Sequence, residues 1–206
     1  MSTAEERLGQ CLYIHFGSDA WDLARLYEIC LPNECTRYAD IDLPQDDKQE
    51  CLLTAFEERT LLPVQTRPNP AWESSGLRFV PEESYFMPRV VRVLLKNARE
   101  SGVLQPQRAV LEVLQACSAK DVPAMAAFFE KVKEYVRSFR CDAGLLFDVG
   151  QKMDPPVDVH ASMDMYVLAG MMSPCTGVSV SSGVAWFEVN PSLFWTGSEG
   201  ESKGIK

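Results

Sequence analysis

Three side chains near the C-terminal end have the types needed for nucleophilic catalysis: Asp158, His160 and Cys175. A cysteine attacks as its thiolate, so it needs an imidazolium or a helix N-terminus to lower its pKa. In Pro174-Cys175-Thr176-Gly177 the thiol sits in a turn, with His160 and Asp158 upstream as candidate base and orienting group. That set defines a cysteine/histidine hydrolase-like reading with a site assembled from distant residues. No family-type sequence surrounds the cysteine, so these three are weak candidates and the chain leans away from being an enzyme. If residues 157–161 are extended, Asp158 and His160 project to the same side of a strand, as a metal pair would, with Asp164 nearby. The only other histidine is His15, too few for a histidine-rich site, and no metal is expected. Serine chemistry is weaker still, because Gly177-Val178-Ser179-Val180-Ser181 lacks the second glycine of a nucleophile elbow. Neither GxxxxGK[ST] nor GxGxxG occurs, so no nucleotide cofactor is expected. Carboxylate pairs such as Asp40/Asp42 and Glu82/Glu83 are explained by solvated helix starts and loops.

The constellation with a definite geometry is basic. Arg89, Arg92, Lys96 and Arg99 recur at helical spacing and occupy an arc of about 80° opposite Val91, Leu94, Leu95 and Ala98. Such a stripe faces phosphates, anionic lipid, an acidic protein surface, or acidic helices of its own molecule. Charge is sorted along the chain. The first 85 residues carry 16 acidic and 7 basic side chains, residues 86–140 carry 10 basic and 5 acidic, and the rest carry 8 acidic and 3 basic. A winged-helix reading places the recognition helix at Gln45–Leu62. Asp46, Asp47, Glu50, Glu57 and Glu58 there would be repelled by phosphates, so that version fails.

Of the 206 residues, 46% are hydrophobic and 24% charged, which excludes a disordered chain. The apolar run 167–189 is broken by Pro174, Gly177 and Gly183, and no signal-type segment opens the sequence, so no membrane span is expected. The seven cysteines are odd in number with no CxxC pair. They read as reduced thiols in a cytoplasmic compartment.

The elements that must position these residues follow from periodicity and punctuation. Thr3 with Glu6 is a capping box opening a helix at Ala4, although 11–16 suits a strand equally well. Leu23, Leu26, Tyr27 and Cys30 mark a helix ended by Pro32. An edge strand is placed at 37–41. A helix from 45 has Leu52, Leu53, Phe56 and Thr60 inward. Val64–Thr66 and Leu77–Val80 are set as paired strands. Three helices follow at 88–101, 107–117 and 122–139, with Gly102 stopping the first. Residues 144–150 are read as a strand bounded by glycines, 163–172 as strand or short helix, and 177–190 as a hairpin. The fold class is α+β: a helical, bundle-like first two-thirds packed on a small, mostly antiparallel sheet from the last third, as one domain over 1–196 with a flexible tail at 197–206.

The functional expectation is a non-catalytic protein-interaction or regulatory protein acting through segregated acidic and basic surfaces, its partner another protein. The alternatives are the hydrolase-like enzyme, and anion or nucleic-acid binding through the 88–101 helix.

Overall fold

A computed structural model describes residues 3–64, 71–117, 119–175 and 185–196. The chain is α+β, with eight α-helices and two three-stranded antiparallel sheets among these residues. The expected tail at 197–206, residues 177–184 of the expected hairpin (its first strand and turn) and part of the 64–66 strand lie outside the described residues.

Helix α1 (Ala4–Phe16) opens with the expected reciprocal cap: Glu6 N–H donates to Thr3 Oγ1 at 3.1 Å, and Thr3 N–H to Glu6 Oε2 at 2.7 Å. It continues unbroken through 11–16, because Leu8, Cys11 and Leu12 are buried at helical spacing, with α2 (Ala20–Cys30) packed alongside. Helix α3 (Gln45–Glu57) turns Cys51, Leu52 and Ala55 inward, and leaves Leu53, expected inside, 47% exposed. It is ended by Arg59 in the left-handed region (φ 55°).

The first sheet has the order β1-β3-β2, built from β1 (Cys35–Arg37), β2 (Leu62–Pro63) and β3 (Ser84–Phe86). Strand β3 aligns Tyr85 with Thr36 on one side and Pro63 on the other. The strand expected at 37–41 thus ends at Arg37, and in place of the one expected at Leu77–Val80 the strand starts seven residues later, at Ser84. Both lie in short stretches flanked by prolines, where alternation is too brief to fix register.

Helices α4 (Arg89–Ser101), α5 (Pro106–Ala116) and α6 (Val122–Lys133) pack consecutively, α4 also lying on α1. Gly102 caps α4 with φ 76°. The third helix stops at Lys133 instead of 139. Ser138 and Phe139 adopt φ 47° and 57°, and Val189 N–H donates to Phe139 O at 2.7 Å. A bond to a distant strand outweighs the local helical spacing of Val136 and Phe139.

The stretch 144–150, expected as a strand, is helix α7 (Ala143–Lys152). Asp142 caps it by accepting from Leu145 N–H at 3.1 Å, and Leu146, Val149 and Gly150 are buried at helical spacing. Gly150 is a packing glycine: a Cβ there would stand 2.3 Å from Val159 Cγ2. Helix α8 (Val159–Ala169) follows, and strand β5 (Met172–Pro174) completes the ambiguous 163–172 region. Strands β4 (Arg140–Asp142) and β5 flank β6 (Trp186–Val189) in the order β4-β6-β5, so the centre of the second sheet is its last strand in sequence. Buried side chains from Leu8 to Trp195 form one continuous cluster. Asn190, fully buried, ties its parts: Nδ2 donates to Arg59 O at 3.0 Å and Gly170 O at 3.3 Å, while Oδ1 accepts from Ser192 N–H and Oγ.

Candidate functional site

The three catalytic candidates are not brought together. Residues 157–161 are not extended. Asp158 is the N-cap of α8, accepting from Ala161 N–H at 3.1 Å. His160, on the first turn and exposed, sets its ring edge-on to Phe147 at 4.8 Å. Cys175 follows β5, where the charges of Glu73, Arg140 and Glu188 act on it instead. Burial pushes its thiol up, Glu73 adds to the shift, and Arg140 opposes it. That is the opposite of thiolate activation. Among the described residues no group of three or more His, Cys, Asp or Glu side chains is placed to hold a metal ion. No described helix is long and apolar enough to cross a membrane, and none of the seven cysteines is disulfide-bonded.

The basic stripe divides. Arg99 pairs with Glu28 (Nε–Oε1 3.1 Å), so that part is neutralised inside the molecule by an acidic N-terminal helix. Lys96 is exposed. Arg92 donates to Leu31 O, and to Asn33 O at 2.6 Å, bracing the negative C-terminal end of α2. Arg89 is exposed and donates to a neutral acceptor, Cys117 Sγ, at 3.5 Å. Neither Arg89 nor Arg92 has a carboxylate within ion-pair distance among the described residues.

Both arginines line a cleft of about 710 Å³, within the roughly 300–1,000 Å³ range of small-molecule sites. Helix α4 forms one wall with Pro88, Arg89 and Arg92. Leu62, Pro63 and Val64 bring the open edge of β2, while Met172, Ser173 and Pro174 bring the open edge of β5. Between these edges Trp72 closes the floor, anchored by its backbone N–H donating to Ser173 Oγ at 3.1 Å. Gly170 caps α8 in the left-handed region (φ 73°) and lies so close to the start of α4 that a Cβ would stand 2.6 Å from Pro88 Cβ. Leu168 and Val64, 50% and 43% exposed, are large apolar side chains left open at the rim. Among the described residues, Glu34 is the single carboxylate of the lining. The sequence signalled Arg89 and Arg92 by their spacing. It carried no signal for Trp72, Leu168 or Met172, which meet through pairing between distant segments.

A second cavity of about 570 Å³ lies beside Leu104–Arg108, Lys133 and the Phe194–Thr196 stretch. Its cations are engaged, Lys133 with Glu130 at 3.4 Å and Arg108 with Glu112 at 2.7 Å. Of the two cavities, the first is therefore the one lined by cations without a carboxylate partner among the described residues.

Residues 16–196 match a protein family whose description states no activity. The chain belongs to that family. The matched span includes every residue of the cleft. No curated protein and no solved structure matches the chain.

Proposed function

We propose that this family member is a non-catalytic binding protein of the cytoplasm that receives an anionic group of its partner in the cleft at the start of α4. The observation that carries the reading is the exposed guanidinium of Arg89, which has no carboxylate partner among the described residues, at the mouth of a mostly apolar cleft. Large apolar side chains left open at a concave site favour occupation by a partner. A cation at the edge of such a surface supplies orientation and on-rate. Seven free thiols accord with a reducing compartment.

The test is an amide-resolved NMR titration of the full chain with carboxylates, phosphates and acidic peptides. Expected are shift changes at Val64, Trp72, Arg89, Leu168 and Met172 that weaken as salt is raised and vanish in Arg89→Glu. Changes confined to other surfaces, or a response unaltered in R89E, would refute the reading.

A further inference from the structure

Resting on that binding reading, we infer that the occupant of the cleft is a compact molecule with an apolar body and one anionic head group, a carboxylate or phosphate, and not an acidic peptide added as a strand. Two sheet edges open on the cleft, which at first sight invites strand addition. Both edges are blunted. Asn190 N–H donates to Met171 O and Cys175 N–H donates to Trp186 O, so residues 171 and 175 turn their polar groups toward β6. By the alternation of an antiparallel ladder, Pro174 faces outward. On the other edge Val64 N–H donates to Ser84 O at 2.7 Å, which turns Pro63 outward in the same way. Proline has no N–H to offer an added strand, and its presence on an edge blocks pairing.

What remains for recognition is side-chain surface and charge. Leu62, Val64, Trp72, Phe86, Leu168 and Met172 offer an apolar lining to a ligand body. The head group is limited to one by the charges at the mouth. Arg92 keeps its charge but turns both terminal nitrogens to the carbonyls of Leu31 and Asn33, so the exposed Arg89 is the better-placed cation, and Glu34 on the lining opposes a second anion.

Calorimetric titration of the full chain with decanoate, decyl phosphate, decanol and an acidic, valine-containing hexapeptide tests this. Decanoate or decyl phosphate should bind, the tighter of the two identifying the head group, with decanol weaker. Arg89→Gln should weaken the anion by roughly ten- to a hundredfold, the range of a charge-assisted hydrogen bond, and leave decanol unchanged. Lys96→Gln, on the same helix but outside the lining, should change nothing. Circular dichroism of R89Q confirms its fold. Decanol binding as tightly as the anions, or anion affinity undiminished in R89Q, would overturn the inference. A peptide that binds at the cleft while both amphiphiles fail would overturn it and leave the binding reading standing. Failure of every probe would overturn both.

Discussion

Replacing Asn190 by alanine should be among the most damaging single changes in this chain, although it removes no apolar contact. The side chain is fully buried and makes four hydrogen bonds, two donated to the carbonyls of Arg59 and Gly170 and two accepted from Ser192. Truncation strands two carbonyls and one amide, since the Ser192 hydroxyl can rotate. Each buried group left unsatisfied costs about 1–3 kcal/mol, and relaxation of the loops recovers part of the sum. The expected loss is about 3–5 kcal/mol, a large share of the roughly 5–15 kcal/mol that holds a folded protein. For a chain of this size each kcal/mol lowers Tm by about 2–4 °C, so the drop should be on the order of 6–20 °C. Urea unfolding followed by far-UV circular dichroism measures it. Asn190→Asp sharpens the case, because its carboxylate would face the two carbonyl oxygens. Its folded pKa is then raised above the unfolded value of about 3.9. The protonated form can donate a hydrogen bond, so this variant's stability is recovered below that pH and lost as pH rises through the folded pKa. A loss under about 1 kcal/mol for N190A, which is the typical net worth of one hydrogen bond, would refute the reasoning that Asn190 ties three segments together.

Gly170→Ala should cost about 2–5 kcal/mol, adding a left-handed residue to overpacking against Pro88, read from the same urea curves; a loss below about 1 kcal/mol would mean the α8–α4 contact yields. Tyr27→Phe removes a buried hydroxyl bonded to Thr60 Oγ1 at 2.7 Å, while Thr60 still donates to Ala55 O, so about 1 kcal/mol is expected. Burial also pushes the Tyr27 hydroxyl up. Its stabilising contribution is therefore complete below the unfolded pKa of about 10 and lost as pH rises beyond it, and Y27F should flatten that alkaline decline. For the thiols, native labelling with iodoacetamide at neutral pH should modify exposed Cys35 first, with Cys175 slower because its pKa is raised; fast, selective labelling of Cys175 would restore the hydrolase-like reading.

The helix at 88–101 was legible because every local signal agreed: an apolar face, a proline before it and a glycine after it. The fate of its basic stripe was not. Helical period fixes the direction in which Arg92 and Arg99 point, but not that the carbonyls of Leu31 and Asn33 and the carboxylate of Glu28 await them. The 144–150 segment misled because an unbroken apolar run has no period, so its two glycines looked like strand ends when one is a close-packing site. Likewise, the 122–139 pattern stayed helical in spacing beyond the point where a bond to β6 turned the chain. The cleft was invisible for a deeper reason. It draws on segments as far apart as residues 32 and 174, and a single sequence says nothing of which edges meet. Its two arginines were found, but its apolar walls were not.

The late position of β6 has a consequence for how this protein is made. Strands β4 and β5 have no partner in their sheet until residues 186–189 leave the ribosome, and Asn190, which ties Arg59 to Gly170, follows immediately. At roughly 5–20 residues per second of synthesis, the two flanking strands wait unpaired while the nascent chain is still tethered. A chain cut short before residue 186 would lose Val189, Asn190, Leu193 and Trp195 from its core and display two bare edges where the finished sheet has a filled centre. Quality-control proteases and chaperones would meet that truncated product as an aggregation-prone species.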